Sequence, residues 1–203
     1  MKSKFITFEG IEGCGKSTQA KKLHEFFLQK EIPAILTREP GGTLAGEKIR
    51  AILIDEKIEK LEAKTELFLN FAARHEHVEK LIKPALAQNK IIISDRFFDS
   101  TYSYQGNAFG LDENLIDDVK KMSIGNLAPH ITFLIDVPVD IAFARIQNRA
   151  DNNRYEKLGL DFHQKVRDGF LYLAKKNPRI NVIDGTKNPQ EIFEKITQIL
   201  TSN

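Results

Sequence analysis

The chain has 203 residues, 41% hydrophobic and 29% charged, a globular balance that excludes a disordered chain or a fibre. Its 30 Lys+Arg stand against 28 Asp+Glu, and a net charge of +2 is too even for a polybasic nucleic-acid binder. A single cysteine excludes an intramolecular disulfide and fits a reducing compartment. One domain is expected at this length, large enough to bury its own core. The longest uninterrupted apolar run, Phe170 to Ala174, is far short of the roughly 20 residues that span a bilayer. Met1-Lys2-Ser3-Lys4 resembles the start of a secretion signal, but Glu9 and Glu12 interrupt the apolar stretch that must follow. The expectation is a cytoplasmic protein with no membrane and no nucleic-acid partner.

β-prone runs alternate with helical patterns along the chain. Phe5-Ile6-Thr7-Phe8 reads as a first strand and is followed by a glycine cluster. Ala20, Leu23 and Phe27 then form the stripe of an amphipathic helix. Ala34-Ile35-Leu36-Thr37 is a second strand, stopped by Pro40-Gly41-Gly42. A mostly helical stretch is expected from about Leu44 to Gln88, with Pro84 as a kink or a new start. Ile91-Ile92-Ile93 is apolar at every position, as suits a strand buried on both faces. Ile131 to Ile135 and Ile180 to Ile183 repeat the pattern, each followed by a helix. The outcome is an α/β fold: a doubly wound, five-stranded parallel sheet with helices on both faces. Ala150 to Gly159 is the one polar break that reads as a mobile loop.

After the first strand comes Gly10-Ile11-Glu12-Gly13-Cys14-Gly15-Lys16-Ser17, the pattern G-x-x-x-x-G-K-[ST] between a strand and a helix. The glycines let backbone N–H groups turn inward around an anion, and the helix N-terminus adds partial positive charge. Gly10, Glu12, Gly13, Cys14, Gly15, Lys16, Ser17 and Thr18 are therefore expected at a bound nucleotide, with Lys16 on its β- and γ-phosphates and Ser17 on Mg²⁺. Chance produces the pattern in a chain this long only about 1% of the time. Cys14 could be a reactive thiol at a helix start; the simpler reading is a small residue where nothing larger fits.

The phosphate's destination is read from the arginines at strand ends, where open α/β sheets bind ligands. Arg38 follows strand two, and Asp95-Arg96 follows strand three. A guanidinium matches two phosphate oxygens at once. Asp95 is placed to hold Mg²⁺ or its water, or to orient the attacking oxygen. No N-K-x-D occurs, so guanine recognition of the G-protein type has no support.

Phe8-Glu9-Gly10, Gly15-Lys16-Ser17-Thr18-Gln19, Thr37-Arg38-Glu39-Pro40-Gly41-Gly42-Thr43, Ala72-Ala73-Arg74 with His77, Asp95-Arg96-Phe97 and Tyr104-Gln105-Gly106 occur in this order. Together they resemble the bacterial thymidylate kinase family, nearly end to end. The resemblance implies a P-loop kinase fold, phosphorylation of dTMP to dTDP with ATP and Mg²⁺ in dTTP biosynthesis, and a cytoplasmic homodimer. It implies that Glu12 lies near the acceptor's sugar and that Arg38, Arg74 and Arg96 serve the acceptor, with Arg96 on the dTMP phosphate. Thr101 and Gln105 match positions near the thymine edge, and Tyr104 a position packed on the deoxyribose. Relatives commonly carry Phe four residues before the helical arginine; here that residue is Asn70, so Phe71 is the expected stacking ring, the alternative being that Phe71 and Phe68 are both core.

The resemblance also implies a lid over about 148–158 that closes on ATP. No arginine stands between Ile11 and Cys14, so charge stabilisation is assigned to Arg149 and Arg154, with Arg145 packing on adenine. His163 reads as structural, and the other histidines have no metal-ligand spacing. The rivals are a kinase for another monophosphate or a deoxynucleoside, and a P-loop module that holds nucleotide without turnover.

Overall fold

The computed structural model describes residues 4–58, 60–146 and 154–202. Its elements are β1 (Phe5–Glu9), α1 (Lys16–Gln29), β2 (Ala34–Arg38), α2 (Leu44–Ile54) and α3 (Ala63–His77). A π-helical turn, Val78–Ile82, joins α3 to α4 (Lys83–Ala87), and β3 (Ile91–Asp95) follows. Next, α5 (Phe98–Thr101) runs into a π-helical segment, Tyr102–Ala108, before α6 (Glu113–Ile124) and β4 (Ile131–Asp136). The last elements are α7 (Val139–Ile146), a 3₁₀ turn (Arg154–Lys157), α8 (Leu160–Lys176), β5 (Ile180–Asp184) and α9 (Pro189–Ser202).

Among the described residues the sheet has five strands, all parallel, in the order β2-β3-β1-β4-β5. The fold class expected from the alternating pattern is therefore the one observed. The chain winds outward from β1 to β2, returns through β3, and then crosses to β4 and β5. Its crossovers thus diverge beside β1, and the carboxyl ends of β1, β3 and β4 open at one edge. Register puts Phe8 opposite Asp95 and Arg38 opposite Asp95, so three loops with chemistry leave the sheet side by side.

The isoleucine run shows why this sheet is covered twice. Successive strand side chains point to opposite faces. Ile91 and Ile93 join the cluster containing Leu23 and Phe27 of α1. Ile92 joins a second cluster with Leu67 and Phe71 of α3 and with Val78 and Ile82. An apolar residue at every position is what two covered faces demand. The helix starts are set locally: the Thr43 hydroxyl accepts from the Gly46 N–H at 3.0 Å, and Asp112 accepts from the N–H groups of Asn114 and Leu115.

The mostly helical stretch expected from Leu44 to Gln88 is observed as α2, α3, the π-helical turn and α4, and Pro84 lies in the first turn of α4. The polar break read as a loop contains the 3₁₀ turn Arg154–Lys157, and Arg154 is buried. Among the described residues, no helix is long and apolar enough to cross a membrane.

Glu9 closes β1 with its carboxyl group buried. One oxygen accepts from the Phe97 N–H at 2.7 Å and the other from the Ser100 hydroxyl at 2.6 Å. Burial, helped by Asp99, raises its pKa to about 8, against the pull of Arg96 and these hydrogen bonds. The folded state therefore keeps a proton that the unfolded chain releases near pH 4.5. Stability tied to Glu9 falls as pH rises from that value through about 8. Denaturation midpoints measured from pH 5 to pH 8 should fall less steeply for Glu9→Gln than for the parent; parallel profiles would show Glu9 ionised throughout. Phe71, in the second cluster, gives a packing test: Phe71→Ala is expected to cost about 3–5 kcal/mol in urea unfolding.

Candidate active site

The loop between β1 and α1 is shaped by glycines with positive φ at Gly10, Gly13 and Gly15. A Cβ at Gly10 would lie 2.6 Å from the Ile135 carbonyl oxygen, and one at Gly13 would lie 2.3 Å from that of Ala142. Both glycines are thus required by contact as well as by dihedral angle. Gly15 caps α1 in a left-handed conformation without a side-chain acceptor, so the first N–H groups of α1 remain available to an anion. Lys16 is nearly buried and donates from Nζ to the Ile11 carbonyl at 3.2 Å. Cys14 is buried, and burial pushes its thiol pKa up, so it is a small packed residue rather than a nucleophile. Ser17 and Thr18 are exposed at the mouth.

The Ser17 hydroxyl donates to Asp95 Oδ2. The other oxygen of Asp95 is buried and has no hydrogen-bond partner among the described residues. A hydroxyl beside a carboxylate with one uncommitted oxygen is a suitable donor set for Mg²⁺, which takes few protein ligands and keeps waters and phosphate oxygens. The residues present therefore fit the ion.

Arg96 follows β3 and is the centre of the arrangement. Its φ of 75° is left-handed, an uncommon state for a branched-free but bulky residue, and its N–H is held by the Phe8 carbonyl at 2.9 Å. This turns the guanidinium back across the P-loop. One terminal nitrogen donates to Glu12 Oε1 at 2.8 Å and to the Tyr104 hydroxyl at 3.1 Å; the other donates to Ser100 Oγ at 2.9 Å. Burial opposes both charges. The field of Arg96 and Lys16 nevertheless brings the Glu12 carboxyl down to about 2. Tyr104, Glu12, Glu9 and Asp95 hold the Arg96 pKa above its ordinary value despite its burial.

Beside this pair opens a cavity of about 510 Å³, counting its open mouth. Glu12, Arg96, Thr101, Tyr104 and Gln105 line it, as do Glu39, Pro40, Arg50, Asn70 and Tyr155. Five residues assigned to the acceptor from sequence are thus brought to one cavity.

Other assigned residues are placed elsewhere. Phe71 is in the core, as the alternative reading had it, with the Arg74 guanidinium 4.6 Å from its ring centre; the cavity wall at this point is formed by Asn70, one residue earlier on α3. Phe68 points outward and is half exposed. Arg74 lies behind the wall, donating to Glu39 at 2.6 Å, to Thr101 Oγ1 at 3.1 Å and to the Phe97 carbonyl at 3.3 Å. Its position supports Thr101 and leaves it out of the lining. Arg38 is exposed, pairs with Glu47 at 2.9 Å, and borders the groove that contains Ser17 and Asp95. Arg145 donates to the Gly185 carbonyl at 3.0 Å. Arg149 and most of the lid fall outside the described residues. Arg154 does not face the P-loop: it donates to Glu66 at 2.6 Å and to the Leu53 carbonyl at 3.1 and 3.2 Å, on the cavity side. That placement follows from charge, because a buried guanidinium needs an anion and carbonyls.

Sequence reading missed Arg50, Tyr155 and Glu66. Arg50 is a lone arginine on an amphipathic helix and carries no motif. In the fold it is mostly buried, it donates to the Pro40 carbonyl at 3.1 Å, and its pKa is lowered by burial and by repulsion from Arg38 and Arg96. Three guanidiniums that repel one another around a groove and a cavity are a field that an anion relieves.

The comparisons agree with this geometry. The family model for thymidylate kinase matches residues 8–196. A thymidylate kinase of Carboxydothermus hydrogenoformans is 42% identical over 200 residues, covering 98% of each chain. One from Wolbachia pipientis is 45% identical over 202 residues, covering 97% of this chain and all of the relative. The crystal structure of thymidylate kinase from Ehrlichia chaffeensis superposes with a TM-score of 0.80 at 40% identity, covering 99% of both chains. The chain belongs to the thymidylate kinase family.

Proposed function

We propose that this enzyme transfers the γ-phosphoryl group of ATP to dTMP, giving dTDP, with ATP in the P-loop and dTMP in the cavity beside Arg96. The reaction is that of its family. The observation that carries the site assignment is the pair Arg50 and Arg96 on one cavity wall, with the P-loop on the far side of the Arg96–Glu12 contact.

The residues divide the work by charge. The α1 N–H groups and Lys16 hold the donor's phosphates, and Lys16 exchanges its Ile11 carbonyl for a phosphate oxygen as ATP enters. Arg96 and Arg50 hold the acceptor phosphate, whose oxygen is the nucleophile, so no side chain need attack. Ser17 and Asp95 would hold Mg²⁺, which when bound neutralises charge on the transferred group. Glu12 keeps Arg96 aimed along the line between donor and acceptor. Tyr104 packs on the deoxyribose, and Thr101 and Gln105 meet the base edge, with Arg74 fixing Thr101 from behind. Arg149, in the lid over about 148–158, supplies charge to the transition state on closure. We read the chain as one kinase domain that acts in the cytoplasm as a homodimer.

Two measurements test this. In a coupled ADP-release assay, Lys16→Met is expected to lower turnover by orders of magnitude while melting like the parent. Near-normal turnover would remove Lys16 from the mechanism. Arg50→Met removes a charge-assisted contact worth about 1.5–3 kcal/mol, so KM for dTMP should rise roughly 10- to 150-fold with KM for ATP unchanged. An unchanged dTMP KM would place the acceptor phosphate elsewhere.

A further inference from the structure

Behind the cavity lies one ionisable side chain that the mechanism above does not use. Glu66, in the first turn of α3, is fully buried. Its Oε2 accepts from the Gln105 amide nitrogen at 2.8 Å and from the Tyr155 hydroxyl at 3.0 Å, and its Oε1 accepts from Arg154 at 2.6 Å. Gln105 and Tyr155 both line the cavity. We propose that Glu66 is a positioning residue that fixes which end of the Gln105 carboxamide meets the acceptor's base, and so sets the hydrogen-bonding pattern that the cavity selects. The inference rests on the reading that Gln105 meets the base edge.

An unconstrained carboxamide is ambiguous. It offers a carbonyl acceptor at one end and N–H donors at the other, and a half-turn about its last bond exchanges them at little steric cost. A carboxylate beside it removes the choice, because an ionised carboxylate only accepts and therefore takes the amide nitrogen. Arg154 supplies the cation that keeps a buried carboxylate supportable. With the nitrogen turned to Glu66, the carbonyl oxygen and one remaining N–H are left for the base. That pair matches a pyrimidine with N–H at position 3 beside a ring carbonyl. It opposes a pyrimidine with a bare nitrogen at position 3 beside an amino group, where acceptor would face acceptor and donor would face donor. A purely apolar cavity would not separate two rings of such similar shape.

The test compares dTMP with dCMP as acceptors, at saturating ATP and Mg²⁺, for the parent, Glu66→Gln and Gln105→Leu. Glu66→Gln keeps the shape but can accept or donate, so either amide orientation becomes available. The ratio of kcat/KM for dTMP over dCMP is expected to fall about tenfold or more, with KM for ATP unchanged. A general loosening of the site would lower both acceptors together and leave the ratio alone. Gln105→Leu is expected to raise KM for dTMP. If it does so while Glu66→Gln leaves the ratio at the parent value, the positioning role is overturned and the base-edge reading stands. If Gln105→Leu leaves KM for dTMP unchanged, the base-edge reading falls and this proposal with it. Should Glu66→Gln fail to fold because Arg154 is left unpaired, the comparison is made between Arg154→Gln and the double variant Glu66→Gln/Arg154→Gln, with the same ratio deciding.

Discussion

The ion pair between Arg96 and Glu12 organises this enzyme. It joins the end of β3 to the loop after β1, and both partners line the cavity. Each partner alone would be costly, since a charge removed from water without compensation is strongly disfavoured. Together, with Tyr104, Ser100 and Glu9 completing the set, they fix a cation at a point that water reaches poorly. The left-handed backbone at Arg96 is the local cost of aiming that cation, and the Phe8 carbonyl holds it in place.

The same principle recurs around the cavity, at longer range. Arg74 is neutralised by Glu39, which also accepts from His77, and His77 in turn contacts the Thr37 hydroxyl at 2.7 Å. Asp99 takes Arg179 through both oxygens, and Glu66 takes Arg154. Of these groups Glu39 lines the cavity and the others do not. Arg50 is the contrasting case: it lines the cavity and feels other cations. Buried pairs such as these contribute little net stability. Their value lies in holding neutral side chains such as Thr101 in one orientation.

The sheet and the P-loop were legible in the sequence because each follows from short-range chemistry. A run such as Ile91-Ile92-Ile93 has one comfortable location, and the glycine pattern has few folds that use it. Gly10 and Gly13 turned out to be needed by contacts with Ile135 and Ala142, which are distant in sequence, yet the motif already encoded them. The cavity was only half legible. Thr101, Tyr104 and Gln105 were found through resemblance, whereas Arg50 and Glu66 carry no pattern: a charged residue on a helix reads as solvated until the packing shows otherwise. Phe71 lies in the core rather than on the cavity wall for a related reason. Adjacent helix positions differ by about 100° in direction, so one position separates the core from the cavity, and periodicity does not tell which of the two neighbours faces the ligand. The burial of Arg154 was not legible because a polar tract disguises a guanidinium whose anion is 88 positions away.

The contact between Lys16 and the Ile11 carbonyl has a consequence for recognition. The ammonium spans its own loop, so the long side chain is ordered by folding, and an anion taken up there would be spared most of that entropic loss. A phosphate held there, as proposed above, would displace a neutral oxygen from this cation. Because the accepting atom belongs to the main chain, this contact does not depend on the chemistry of the side chain at position 11, which packs in the core.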